Sequence, residues 1–270
     1  QYKAHRKLAE SALTEAQQEE NQLFWDTYDV FTTFLREKTN CSVLRHPEAE
    51  ADDVIARFIK LHPNDSHIIV SSDSDYLQLI DTNTHQYNPV ENHLIRLDGY
   101  WKDNGKPVLN KDKTPKLLED TPDYLLFKKI IRGDAGDNVF SAYPGVREKG
   151  SKNSVGIREA FEDRNKQGYS WNTFMLSRWL DHNDVEHRVR DDYERNRMLI
   201  DLKAQPDDIK KSVDDTIKNN VRTTITPQVG IHFMKFCGKY ELVKLSENAE
   251  AYAKWLNSTY KGQLHGKDSA

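Results

Sequence analysis

Carboxylates gather at three places along this 270-residue chain, each where an apolar run passes into a polar, helix-forming one: Glu48-Ala49-Glu50-Ala51-Asp52-Asp53, Ser72-Asp73-Ser74-Asp75 and Gly133-Asp134-Ala135-Gly136-Asp137-Asn138. If Glu50 sits at a helix start, Asp53 follows three residues later on the same face. Asp73 and Asp75 come after His67-Ile68-Ile69-Val70-Ser71-Ser72, whose β-branched enrichment predicts a central parallel strand; they fall at its C-terminal end, the edge at which open α/β sheets bind ligands. Asp134 and Asp137 close a helix predicted over 121–133, with Thr121 as N-cap and Pro122 at its first position. That end of a helix already carries partial negative charge, so something positive belongs beside it.

Each segment has a plainer reading. Acids at 48–53 also suit a solvated helix N-terminus, and Asp73 with Asp75 also suits N-capping. A calcium loop of the EF-hand kind fails, because Gln78 stands where its turn needs Gly and Leu77 where an oxygen ligand belongs. If the three segments converge, carboxylates about 4 Å apart repel by roughly 4 kcal/mol per pair at an effective dielectric of 20, and folding then requires cations. Oxygen donors without His or Cys favour magnesium or manganese over zinc. Two such ions roughly 3.5 to 4 Å apart polarise an attacking water and stabilise the leaving oxygen of a phosphodiester.

The order of elements is α/β. Residues 8–38 lack Gly and Pro, and Phe24, Tyr28, Phe31 and Leu35 recur at helical spacing. The first part is far more polar, which predicts a bent or two-piece helix. A short strand is expected at 41–45, a helix from Glu50, the strand at 67–72, a weak strand pair within 84–101 and a Lys-rich loop at 102–116. Beyond Asp137 the chain reads as mainly helical, with a Gly/Lys-rich connection at 145–156. The expected division is a core over 1–137, a helical DNA-binding subdomain over 138–261 and a tail over 262–270.

Composition narrows the class of protein. Hydrophobic residues make up 37% and charged residues 30%, and no apolar stretch approaches the roughly 20 residues of a membrane helix. Cys41 and Cys237 are far apart, which excludes a disulfide framework and a zinc cluster. A net charge of -4 means that any nucleic-acid contact rests on local charge. Lys3, Arg6 and Lys7 beside Tyr2 offer charge and a stacking face to a single-stranded end, and also fit an ordinary basic helix start. Gly145, Val146, Arg147, Lys149 and Lys152 lie where backbone amides and cations could meet phosphates, and equally describe a solvated loop. Cys237, near Phe233 and Phe236, reads as core, and His46 as structural.

The succession Glu50-Ala51-Asp52-Asp53, Ser72-Asp73-Ser74-Asp75 and Gly133-Asp134-Ala135-Gly136-Asp137-Asn138, with the opening Tyr2-Lys3-Ala4-His5-Arg6 and the later Tyr193-Glu194-Arg195-Asn196-Arg197-Met198-Leu199-Ile200-Asp201-Leu202, resembles the flap-endonuclease and 5′ to 3′ exonuclease superfamily. The polar C-terminal part is similar to its phage ribonuclease H branch. The resemblance implies a PIN-like α/β fold with a mostly parallel sheet flanked by helices, a helical arch at about 2–38 and a helical C-terminal subdomain. It implies two or more Mg2+ ions, with Mn2+ able to substitute. Glu50, Asp52 and Asp53 would serve the first metal, Asp73, Asp75, Asp134 and Asp137 the second, and Lys3 with Arg6 the scissile phosphate. The substrate would be DNA or an RNA/DNA hybrid with a 5′ end or flap, cut during replication and RNA-primer removal by a monomer in the cytoplasm of a phage-infected bacterium. A single-stranded-DNA-binding protein or sliding clamp would be its partner.

The family's two Asp-bearing strands before the arch are not in the sequence, which predicts an N-terminally truncated chain of weak activity. Arg147 to Val155 also departs from the family's compact turn by being longer and irregular. Two rivals are a PIN-type ribonuclease and a metal-deficient homologue that holds flaps or duplex DNA without cutting. The long arch helix and the Pro-Gly turn after Asn138 argue against the former.

Overall fold

The computed structural model describes residues 9 and 11–260, so the expectations for Tyr2, Lys3, Arg6 and Lys7 lie outside the described residues. Two compact units are present: one built on residues 63–206, the other on the described residues up to 62 and from 207 onward.

In the first unit, β1 (His67–Val70) pairs in parallel with β2 (Thr84–Asn88), and β2 pairs antiparallel with β3 (His93–Arg96), which pairs antiparallel with β4 (Gly99–Lys102). The spatial order is β1-β2-β3-β4. Only two residues separate β3 from β4, a connection that allows antiparallel pairing alone. Gly99, at φ 122°, carries the turn, where a Cβ would lie 2.5 Å from the Lys116 carbonyl oxygen. The α/β class therefore stands, with a mixed sheet among the described residues where a parallel majority was expected. The strand expected to be central, β1, stands at one end of this order, with Ile69 buried and Ile68 and Val70 exposed.

After the sheet come α3 (Pro122–Arg132), α4 (Ile157–Asp163), α5 (Tyr169–Leu176), a hairpin of β5 (Arg178–Leu180) and β6 (Glu186–Arg188), and α6 (Val189–Ile200). Thr121 caps α3 as its sequence predicts, accepting from the Tyr124 amide. Tyr124, Phe127 and Ile131, on one face of α3, pack with Ala142, Ile157, Ala160, Phe174, Met175 and Val189. The boundary expected near 138 would cut through this core. Buried Gln78 donates to the Ile200 carbonyl at 3.1 Å and accepts from the Leu202 amide at 2.9 Å, which fastens the 3-10 turn Ser74–Leu79 to the end of α6.

In the second unit, α1 (Glu15–Lys38) begins at a capping box between Thr14 and Gln17 and runs unbroken through the polar stretch up to Asn21, so no bend separates the polar and apolar parts within it. Its apolar stripe does not dock along its whole length. Phe34 stacks on Phe236 at 4.2 Å, whereas Phe24, Trp25 and Tyr28 remain exposed. Residues 41–45, expected as a strand, pair with no strand among the described residues. Helix α2 (Ala51–Leu61) buries Val54 against Val213, Ile217 and Val221 of the segment carrying α7 (Asp207–Asn220), and Arg57 grips Asp214 through two bonds of 2.7 and 2.6 Å. Helices α8 (Val229–Lys239), α9 (Val243–Ser246) and α10 (Ala249–Leu256) complete the unit. Cys237 lies in its core beside Phe34 and Phe233. His46 bonds to the Ser212 hydroxyl at 2.9 Å and accepts from the Glu48 amide, the structural role its sequence suggested. Among the described residues no helix is long and apolar enough to cross a membrane.

Candidate functional site

The predicted acids of the first unit sit on two tight turns. Asp73 caps the 3-10 turn after β1, accepting from the Asp75 amide at 2.9 Å, so its capping role is realised. Asp134 does the same for the turn Ala135–Asp137, accepting from the Gly136 amide at 2.8 Å. The segment 134–139 folds back on itself: Asp134 and Val139 exchange backbone hydrogen bonds of 2.8 and 2.7 Å. Gly133 makes the entry possible. Its φ is 76°, and a Cβ there would lie 2.4 Å from the Val139 carbonyl oxygen, so only glycine fits. Asn138 takes the left-handed conformation that ends the turn.

Lys129, one turn before the end of α3, joins the two turns. Its ammonium contacts Asp75 directly and lies 2.9 Å from the Asp134 carboxylate. A carboxylate 54 residues away in sequence and another close by thus converge on one cation. Burial alone would lower the Lys129 pKa, but its hydrogen bonds to Asp134 and Asp75 outweigh that and hold it above the ordinary value. Burial would raise the Asp134 pKa, and the Lys129 bond and backbone amides overcome it and hold the carboxyl low. The positive group that the sequence calls for at this helix end is Lys129, which sequence reasoning did not identify. The signal available was a lysine on the α3 face leading to Asp134.

Glu50, Asp52 and Asp53 belong to the second unit, at the start of α2. The Glu50 amide donates to the Asp53 carboxylate at 3.1 Å, and the Asp53 amide to Asp52 at 2.9 Å. Among the described residues no three His, Cys, Asp or Glu side chains stand together as a coordination group. In kind, however, the donors around Lys129 fit a hard divalent cation: they are oxygens, partly solvent-accessible, and already arranged around positive charge.

The second candidate surface is the loop at 143–156. Gly145, at φ 72°, is exposed with open space around its α-carbon, and Arg147, Lys149 and Lys152 are exposed. The connection is irregular, as expected, with no helix or strand, yet its backbone is tied together. Gly150 and Gly156 meet so closely that a Cβ on Gly156 would fall 2.4 Å from the Gly150 nitrogen. The Glu159 carboxylate accepts from both amides, at 3.0 and 2.9 Å. Burial would raise the Glu159 pKa, but the Gly150 and Gly156 amides hold it below the ordinary value. A cleft of about 570 Å³ opens beside this loop, lined by Lys152, Asn153, Ser154, Tyr169 and Thr173 among others. Nearby, Tyr124 donates to Glu148 at 3.0 Å, and burial with that bond pushes its pKa up to about 12.

Residues 1–104 match the family of 5′-3′ exonuclease N-terminal, resolvase-like domains. No curated protein matches the chain. Among solved structures, bacteriophage T5 5′-exonuclease with bound zinc is similar at 16% identity and a TM-score of 0.48, over 93% of this chain and 77% of that one. The T5 flap endonuclease complex with DNA and metal ions is similar at 16% identity and a TM-score of 0.43, over 94% of this chain and 77% of that one. A further T5 structure co-crystallised with metal ions has 16% identity and a TM-score of 0.46, over 80% and 77%.

Proposed function

We propose that the protein is a structure-specific 5′-nuclease that hydrolyses phosphodiester bonds in DNA or RNA/DNA hybrids bearing a 5′ end or flap. One observation supports this reading: in a chain whose first 104 residues match an exonuclease domain family, Asp75 and Asp134 share a single cationic partner, the Lys129 ammonium. Glu50, Asp52, Asp53, Asp73, Asp75, Asp134 and Asp137 are the residues that would hold two or more Mg2+ ions, with Mn2+ as a substitute. Such ions supply an activated water and charge stabilisation at the leaving oxygen.

The chain's own groups do the rest. Lys129 helps hold the Asp134 carboxyl below its ordinary value and contacts Asp75, so that both side chains are held as oxygen donors at one place. Lys3 and Arg6 would bind the phosphate to be cut, with Tyr2 and Lys7 beside a single-stranded end. Gly145, Val146, Arg147, Lys149 and Lys152 would meet the duplex backbone, which selects structure over sequence. Removal of RNA primers during phage replication in the bacterial cytoplasm, as a monomer working with a single-stranded-DNA-binding protein or a clamp, completes the proposal.

The test uses the full-length protein, a 5′-flap substrate and Mg2+. Asp134→Asn together with Asp137→Asn should lower cleavage by more than the roughly 100-fold that loss of an outer-shell metal partner causes, while flap binding stays measurable by gel shift. Undiminished cleavage would refute the assignment. A second reading is favoured by the lack of any three-residue coordination group among the described residues: a metal-deficient homologue that holds flaps without cutting them. Cleavage by the wild type that EDTA stops would exclude that reading.

A further inference from the structure

Helix α6 carries a side chain that the site as described leaves unused. Asn196 is fully buried, yet its amide meets polar atoms on both sides. Its Nδ2 donates to the Ile130 carbonyl at 3.0 Å and to the Phe140 carbonyl at 2.7 Å. Its Oδ1 accepts from the Arg195 guanidinium through Nε at 3.2 Å and a terminal nitrogen at 2.9 Å. Only one orientation satisfies these partners, because the reverse would set the amide oxygen against two carbonyl oxygens and its NH2 against a cation. Arg195 is itself tied to Asp192, which bonds to His187 at 3.1 Å.

The two carbonyls matter because of where they lie. Ile130 is where the chain enters the turn holding Asp134 and Asp137, directly after Lys129, and Phe140 is where it leaves. The Asp134–Val139 backbone pair closes that turn internally, and Asn196 closes it at its base, 66 residues away in sequence. An amide in a core position is destabilising unless its hydrogen bonds are made, and here both donors are committed to the two arms of one loop.

We propose that Asn196 is a positioning residue for the carboxylate turn: by fixing the Ile130 and Phe140 backbones relative to each other, it sets Asp134, Asp137 and Lys129 in the arrangement that takes a divalent ion. The inference rests on the nuclease reading. The arginine at 195 holds the amide in register, so the turn answers to α6 as well as to α3.

The experiment measures Mn2+ binding by electron paramagnetic resonance and flap cleavage against Mn2+ concentration, on full-length wild type, Asn196→Ala and Arg195→Ala, with melting in EDTA as the control for folding. Asn196→Ala should raise the Mn2+ concentration for half-saturation about 10- to 100-fold, with cleavage recovered at high Mn2+ and KM for the flap unchanged. A variant that melts lower but keeps the wild-type Mn2+ dependence would overturn the proposal, since a merely structural asparagine would behave so. If Asn196→Ala does not fold, Arg195→Ala, at a half-exposed side chain, decides. A several-fold weaker Mn2+ response supports the proposal, and an unchanged one overturns it. A wild type that neither binds Mn2+ nor cuts would overturn the nuclease reading as well, whereas a wild type that does both beside an unchanged Asn196→Ala would overturn this inference alone.

Discussion

The turn at 133–140 and the loop at 143–156 lie close in sequence within one unit, and they handle charge in opposite ways. The first presents acids, and a lysine from outside it, Lys129, balances them. The second presents Arg147, Lys149 and Lys152, and an acid from outside it, Glu159, ties down its backbone. Each therefore takes its support from a group of the opposite sign, and Glu148 within the loop is itself paired with Lys128. An acidic turn suits cations and a basic loop suits phosphates, and a nuclease needs both.

The largest effect should come from removing the support of the acidic turn. Lys129→Met leaves Asp75 and Asp134 without their shared partner and should destabilise the protein by about 1 to 3 kcal/mol near pH 7, read by denaturant unfolding. The signs follow from the two shifts. Asp134 has a depressed pKa in the folded state, so its contribution is present above the ordinary carboxyl value and is lost as pH falls through the folded one. Lys129 has a raised pKa, so its contribution is lost only as pH rises through that higher value. The variant should thus lose less stability than wild type between pH 7 and pH 3. Equal stability of the two proteins at neutral pH would show that the bridge carries no weight.

A smaller effect is expected in the basic loop. Glu159→Gln should cost about 1 to 2 kcal/mol, through weaker hold on the Gly150 and Gly156 amides, and should lower flap affinity without changing cleavage of bound substrate. Loss of cleavage with affinity intact would contradict the division of labour between the two regions. The smallest effect on stability belongs to Lys149→Ala with Lys152→Ala, within about 0.5 kcal/mol of wild type. The pair should nonetheless flatten the dependence of log affinity on log salt by about 0.9 for each phosphate that is no longer neutralised. An unchanged slope would remove both lysines from the duplex surface.

The acidic turns were legible because helix and strand ends are marked locally: Thr121-Pro122 opens α3, and Gly133 can only end it. Their supports were hidden by distance. Lys129 meets Asp75 across 54 positions and Asn196 meets Ile130 across 66, and no local pattern announces either pairing. Glu159 was closer, three residues after Gly156 and nine after Gly150, yet the loop read as irregular because glycine spacing does not reveal that two backbones touch. The apolar stripe of α1 misled for another reason. Periodicity identifies a face without stating how much of it is covered, and here Phe34 is buried while Phe24 is not.

Lys129 has one more consequence, for the order of assembly. A cluster of acids that carries its own ammonium does not wait for an ion before the chain can settle around it. On the proposed reading, maturation and loading would be separate events, and the protein should keep its fold in a chelating medium.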